Sequence, residues 1–423
     1  MSRRWRPESS RPPPIRPSVC WPRRRIRRRN WNRQAGPAKS NWRPSERFVS
    51  RSAEAAAEAF PDDDLAGRAK TFDVVVAGAG PAGSIAARRL ARSGLDVLML
   101  DRLRPASIRL GEVLPGAAQR LLVQEGLGEL TAACHHSAVT GGLVIWGDDR
   151  PVASDALRDP YGAGARLDRA RFDAALRDAS VAAGSLWSRT NARHLERDGD
   201  DWVISRDAGS AVRARIIIDA TGRSARLLRL LGQSRRRGAP LTALYRVARP
   251  EKNAAMARTL IEARPDGWLY AGKLSDGRWA IGYHTLPQDA VRLRACEAQQ
   301  AAAIASAPYL SACLGALAWE GPMVTRDARG LTATMSSGPG WFAVGDAVLA
   351  FDPIAGQGLF NALRTALAAA EAIITARTPD ATAYAAELAR VTAIYSERRQ
   401  ALYRSEERWP EQTFWRQQRA PLA

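Results

Sequence analysis

The feature that most constrains this chain is a glycine pattern, Gly78-Ala79-Gly80-Pro81-Ala82-Gly83, set directly behind the apolar run Phe72-Asp73-Val74-Val75-Val76-Ala77. Such a run reads as a short strand buried within a parallel sheet. Beyond the glycines, Ala82, Ile85, Ala86 and Leu90 recur at helical spacing with Arg88, Arg89 and Arg92 outside, which predicts a helix over 81–93 ended by Gly94. Asp96 to Asp101 predicts a second strand and completes a βαβ unit. In such a unit Gly78 permits the tight turn, Gly80 leaves room for a pyrophosphate against the backbone, and Gly83 lets helix and strand pack closely. The helix that starts at Pro81 offers free N–H groups to phosphates from Ala82 onward. Asp101, 21 residues beyond Gly80, is placed to accept hydrogen bonds from a ribose diol, with Arg102 beside it. A dinucleotide site is expected here.

Two later segments narrow the dinucleotide to FAD. Ile217-Ile218-Asp219-Ala220-Thr221-Gly222-Arg223-Ser224 is a strand ending in small residues, where backbone at Thr221 and Gly222 can lie against a cofactor. Ala343-Val344-Gly345-Asp346-Ala347 is another strand end, with a carboxylate for a sugar-like hydroxyl chain. It leads into Phe351-Asp352-Pro353-Ile354-Ala355-Gly356-Gln357-Gly358, whose glycines at a helix start offer N–H groups to an electron-rich ring edge. Each segment alone reads equally as an ordinary turn or cap. Three glycine-rich strand ends in this order are not ordinary.

With Leu167-Asp168-Arg169-Ala170-Arg171-Phe172-Asp173 between the first two, this order resembles the flavin-dependent monooxygenase and tryptophan-halogenase superfamily over about 71–418. The resemblance implies an α/β fold: a GR2-type, Rossmann-like FAD-binding domain with an inserted β-sheet substrate domain and a helical C-terminus. It implies that Arg169 approaches the phosphates, that Gly345 and Asp346 meet the ribityl–pyrophosphate region, and that Pro353, Gly356, Gln357 and Gly358 sit beside the isoalloxazine. Gly111-Glu112-Val113-Leu114-Pro115, Asp159-Pro160-Tyr161-Gly162 and Arg408-Trp409-Pro410 with Phe414-Trp415 resemble a narrower branch. Its members are flavoproteins that mature quinone-cofactor enzymes, the partners of lysine ε-oxidase, glycine oxidase and quinohemoprotein amine dehydrogenase. That branch implies hydroxylation of a tryptophan side chain in a protein precursor.

The expected activity is therefore an FAD-dependent monooxygenase acting on an electron-rich aromatic, either a small molecule or a Trp-containing protein or peptide, with O2 as co-substrate. No second GxGxxG occurs, so electrons are expected from transiently docked NAD(P)H or from a separate flavin reductase. Halogenation is disfavoured, because no lysine lies between Lys70 and Lys252 and the family's Trp-x-Trp-x-Ile-Pro signature is missing. A geranylgeranyl-reductase-like enzyme shares the FAD motifs, and a non-catalytic FAD-binding scaffold is the alternative of another class. Tyr270, His284 and Trp268 lie on the expected substrate sheet as pocket or catalytic candidates, although aromatics on strands usually pack.

The formal charge of +20 does not argue for nucleic acid. Residues 1–51 hold 16 Arg and Lys against two acidic residues, so the remaining 372 carry only +6. That tail, with Arg23-Arg24-Arg25-Ile26-Arg27-Arg28-Arg29 and no periodic apolar face, predicts disorder. It lacks an apolar stretch like that of a secretory signal, and RNA or membrane binding through Arg and Trp is the weaker alternative to a silent extension. Cys20, Cys134, Cys296 and Cys313 form no CxxC pair, and Cys134-His135-His136 has no second ligand cluster, so no metal site is expected and a reducing cytoplasm fits. Ala298 to Trp319 is the longest uncharged run and is too polar for a membrane span. The expected organisation is a basic extension over 1–66, an FAD-binding domain over 67–233 and 325–378, a substrate domain over 234–324 and a helical segment over 379–423, with parts of 107–165 on the substrate side. An Ala-rich helical stretch is expected over 290–316, and Tyr384, Leu388, Val391 and Tyr395 are expected on one face of the last helix.

Overall fold

The computed structural model describes residues 71–103, 113–132, 137–251, 258–375 and 381–420. The basic extension, Gly111-Glu112 and Cys134-His135-His136 lie outside those residues.

The first strand, Thr71–Ala77, is central to an eight-stranded sheet, paired in parallel with Val212–Asp219 on one side and Val97–Leu100 on the other. Its unbroken β-branched run is buried on both faces, as a parallel strand covered by helices requires. Trp341–Ala343 extends the parallel array beyond Val212–Asp219, and Leu186–Ser188 extends it beyond Val97–Leu100. The helices Pro81–Arg92, Arg169–Ala182 and Gly358–Thr375 supply the cover. The register aligns Ala77 with Leu100 and with Asp219, and Asp219 with Ala343, so three strand ends open on one edge.

A second sheet has seven strands in the order Leu317–Asp327, Thr242–Pro250, Trp279–Thr285, Gly267–Lys273, Arg258–Arg264, Gly141–Ile145 and Val152–Asp155. Leu269 and Ala271 alternate with Trp268 and Tyr270, and both faces are covered. One face packs under the segment 287–314. The other packs under Tyr403, Phe414 and Trp415 from the C-terminal helices Ala381–Arg404 and Thr413–Arg419.

The Ala-rich stretch expected as one helical segment is three helices, Pro287–Ala295, Glu297–Ala305 and Pro308–Leu314. Cys296 is extended (φ −138°, ψ 106°), and Pro308 forces the residue before it out of helical geometry, so Ala307 is extended too. Glu262, from the second sheet, then caps the last of these helices by accepting from the Leu310 N–H at 2.9 Å. Among the described residues no helix is long and apolar enough to cross a membrane.

Candidate active site

The glycines of the first motif do different things. Gly78 is left-handed (φ +103°), and a Cβ there would stand 2.3 Å from the Ala220 carbonyl oxygen. A Cβ on Gly83 would stand 1.8 Å from the Gly78 carbonyl oxygen. These two positions permit close backbone packing. Gly80 is the opposite case: its Cβ would meet no protein atom within 4 Å. The space over Gly80, at the start of the helix Pro81–Arg92, is open to a ligand.

Asp101 braces this turn. Its Oδ2 accepts from the Ala79 N–H and its Oδ1 from the Leu103 N–H, both at 2.8 Å, leaving the second lone pair of each oxygen for a sugar hydroxyl. Arg102 is exposed and lies 3.7 Å from Asp207, away from the glycines. Arg169 holds Asp173 in a two-pronged pair at 3.0 and 3.2 Å, which fixes its guanidinium at the first turn of its helix.

The second motif is organised by a carboxylate that the sequence reading treated as part of a strand end. Asp219 is buried and accepts from the Thr221 N–H, the Thr221 hydroxyl and the Leu228 N–H. Burial pushes its pKa up, and those donors pull against the shift. The result is a rigid turn with Gly222 left open: a Cβ there would touch nothing within 4 Å.

The third motif reaches the first directly. A Cβ on Gly345 would lie 3.0 Å from the Ala82 Cβ. Asp346 follows, partly exposed, and its carboxylate makes no hydrogen bond among the described residues. Burial raises its pKa, while Arg223, Arg169 and Arg235 oppose that rise through their charges. An acceptor left without a donor beside three guanidinium groups has the chemistry needed for a hydroxyl chain linked to phosphates. Gly356 takes the left-handed conformation (φ +59°), and Pro353, Gly356, Gln357 and Gly358 are exposed at the start of the helix Gly358–Thr375. Neither glycine's Cβ would meet a protein atom within 4 Å. The positions able to hold FAD thus show open space and unspent polar groups where the cofactor needs them.

The exposed loop is held from behind by residues the sequence reading did not connect with it. Asp352, 1% exposed, accepts from the Ile354 N–H, from Arg399 Nε at 3.0 Å and from the Tyr403 hydroxyl at 2.9 Å. Its own N–H donates to the Tyr395 hydroxyl at 2.7 Å. Burial pushes the Asp352 carboxyl up, and Arg399 pulls it back. With three donors on it we treat the carboxylate as ionised. Arg399 is in turn held by the carbonyl and side chain of Gln418. Arg399 and Tyr403 continue the Tyr384–Leu388–Tyr395 stripe at a spacing of four, so a charge on a predicted apolar face was the available signal.

Ile354 of the same loop packs on the aromatic face of the second sheet, with Trp268, Tyr245 and Tyr270. Of the three candidates on that sheet, only Tyr270 is partly exposed. Trp268 and His284 are buried and stacked, with ring centroids 3.5 Å apart and planes nearly parallel. They line no open surface. Trp268 Nε1 donates to the Tyr403 hydroxyl at 3.2 Å, which ties this stack to Asp352. His284 Nε2 lies 2.8 Å from the Tyr245 hydroxyl, and burial lowers its pKa to about 3, so the ring is neutral. The Arg408–Trp415 segment clamps the sheet: Arg408 pairs with Asp149 and with buried Glu406, and Trp415 donates to the Arg264 carbonyl. Among the described residues no cluster of side chains could hold a metal ion.

Residues 71–384 match the model of a family described as FAD binding domain. LodB of Marinomonas mediterranea, whose name describes an FAD-dependent oxidoreductase, is 26% identical, with 83% of this chain and 98% of LodB covered. The solved structure of QhpG, titled a peptidyl tryptophan dihydroxylase essential for tryptophylquinone cofactor biogenesis, is 26% identical with a TM-score of 0.67, covering 83% of this chain and 79% of QhpG. That of CmlS, titled a flavin-dependent halogenase, shares the fold with a TM-score of 0.74 at 24% identity, covering 84% and 68%. Motifs that converge on one sheet edge and these likenesses agree: the chain belongs to the FAD binding domain family and is an FAD-dependent oxidoreductase of the halogenase and monooxygenase group.

Proposed function

We propose that the chain is a monooxygenase that inserts oxygen into an electron-rich aromatic ring, with a tryptophan side chain of a protein or peptide as its substrate. The observation that carries this reading is the exposed Pro353–Gly358 loop standing on the aromatic face formed by Trp268, Tyr245 and Tyr270. A ring delivered beside the loop would meet Tyr270, the partly exposed member of that face. The likeness to QhpG supports tryptophan as the ring, and the lysine-free segment between Lys70 and Lys252 weighs against halogenation.

In this reading Gly78, Gly80, Pro81, Ala82, Gly83, Asp101 and Arg169 hold the nucleotide half of FAD. Thr221, Gly222, Gly345 and Asp346 hold the sugar chain, and Pro353 to Gly358 hold the ring. When bound, FAD would supply the activation of oxygen; the protein positions the substrate and excludes water. Trp268 and His284 act as positioning residues that stiffen the wall behind Tyr270. Electrons come from NAD(P)H docked transiently or from a flavin reductase.

The test supplies reduced FAD, oxygen and a tryptophan-containing peptide and reads product mass. A gain of about 16 or 32 mass units, for one or two oxygen atoms, is the expected result of flavin-borne oxygen chemistry. A chlorinated product in the presence of chloride, or reduction of an isoprenoid chain without oxygen uptake, would overturn the proposal.

A further inference from the structure

Next to Tyr395 and Arg399, which hold Asp352 behind the Pro353–Gly358 loop, lies a pocket of about 150 Å³ to which no part of the mechanism above assigns a role. It is lined by Arg236, Arg237 and Gly238 of one strand edge, Gly330 and Thr332 of the next, and Thr392, Tyr395, Ser396 and Arg399 of the long C-terminal helix. It has room for several waters, and so for a small polyatomic group.

Its polar groups are unspent. Arg236 and Arg237 have no hydrogen-bond or ion-pair partner among the described residues, whereas Arg213, Arg278, Arg399 and Arg408 all sit against carboxylates. Thr392 and Ser396 lie on one helix face, and neither hydroxyl bonds the carbonyl four residues back, as Thr365 and Thr375 do in the preceding helix. Tyr395 is the most telling member. It is 9% exposed, its oxygen accepts from the Asp352 N–H, and its own proton has no acceptor among the described residues. A buried O–H without an acceptor is costly unless something fills the role. Gly330 keeps the approach to that hydroxyl open, since a Cβ there would stand 3.1 Å from it. No carboxylate lines the pocket, and Arg399, although charged, is already committed to Asp352 and Gln418.

Two uncommitted guanidinium groups, a ring of hydroxyl donors and no competing acceptor suit a tetrahedral oxyanion with several acceptor oxygens. We propose that this pocket is a phosphate-binding site, receiving either free phosphate or a phosphomonoester carried on a larger ligand. Because Tyr395 and Arg399 both hold Asp352, an occupied pocket presses on the loop that faces the flavin ring. Occupancy is therefore expected to change the flavin's surroundings without contact to it.

The experiment titrates the FAD-loaded full chain with inorganic phosphate, with 2′,5′-ADP, and with NADPH against NADH, by calorimetry and by flavin absorbance. Saturable phosphate binding is expected, weakened by added chloride salt. The Arg236→Gln/Arg237→Gln double variant is expected to lose at least about tenfold in affinity, in line with loss of charge-assisted hydrogen bonds. Both side chains are exposed, so folding should survive, and Arg398→Gln, exposed on the helix that lines the pocket, is the control for loss of a nearby surface charge. Thr392→Val is expected to weaken binding without any change of charge. Tighter binding of 2′,5′-ADP and of NADPH than of phosphate and NADH identifies a phosphomonoester ligand; equal weak binding of all phosphates identifies the free ion. No binding to the parent protein, or equal losses in Arg398→Gln and the double variant, overturns the site.

Discussion

The two ends of the proposed flavin cleft are built in opposite ways. At the nucleotide end, one continuous stretch makes nearly everything: strand Thr71–Ala77, turn Gly78–Gly80 and helix Pro81–Arg92, closed by Asp101 at the end of the next strand. At the ring end, the loop Pro353–Gly358 is mostly exposed, and Asp352 at its base is held by Arg399, Tyr403 and Tyr395, some 43 to 51 residues away in sequence. The first end depends on the absence of side chains, the second on a buried charge pair. The difference teaches where each end is vulnerable: the nucleotide end to added volume, the ring end to loss of a distant partner.

The largest effect should come from adding volume at the nucleotide end, and two glycines separate packing from binding there. Gly83→Val places carbon within 1.8 Å of a backbone oxygen, so we expect loss of the fold, seen as loss of the cooperative thermal transition by circular dichroism. Gly80→Val adds its side chain to open space, so we expect a folded apoprotein that no longer retains FAD, by flavin fluorescence. If both variants behave alike, the contrast between packing glycine and binding glycine fails.

Next is the ring end. Arg399→Met leaves Asp352 buried without its cation, a situation that costs about 3–5 kcal/mol. Urea unfolding should show that loss in the FAD-free protein, and flavin affinity should fall as well, because the loop loses its brace. Unchanged stability would mean that the loop does not depend on the C-terminal helix.

The smallest effect is a pH slope. In the folded chain burial holds the His284 pKa at about 3, against 6.5 when exposed. Below pH 6.5 the unfolded chain takes up a proton that the folded chain refuses until about pH 3, so stability falls as pH drops through that window. For one fully refused proton the slope is about 1.4 kcal/mol per pH unit. His284→Phe should flatten the decline measured by urea unfolding between about pH 6.5 and 5, above most carboxylate titration. The slope is the readout, since the variant also strips the Tyr245 hydroxyl of its partner and lowers stability at every pH. An unaltered slope would remove His284 from the acid response.

The strand, turn and helix of the proposed nucleotide end were legible because their signals are local. Strand, glycine turn and helix lie within some 20 residues, and the helix predicted over 81–93 spans Pro81–Arg92. The wall behind the ring was less legible. Trp268 and His284 read as pocket candidates from their strand positions, but period-two alternation gives only which face a residue is on. It does not say whether that face is open, and here Tyr403, Phe414 and Trp415 cover it. The Ala-rich stretch is helical as expected, but its breaks were not legible for a related reason: helix propensity favours continuation, whereas Pro308 and a cap from a neighbouring element help decide where it breaks.

By itself the sequence determined the βαβ unit, the order of three glycine-rich strand ends and hence the class of cofactor, because strand, turn and helix follow one another within some 20 residues and Gly83 packs on Gly78 only five residues back. Only the tertiary structure decided that those ends meet, with Gly78 against Ala220 and Gly345 against Ala82, and that a stripe on the last helix exists to hold the flavin-edge loop. Contacts between residues far apart in the chain repay their ordering cost only once the whole sheet is assembled, so no local pattern announces them. The Asp352–Arg399 pair is the clearest case: a charge on an apolar face was visible in the sequence, but its partner became identifiable only when burial left each charge no one else to meet.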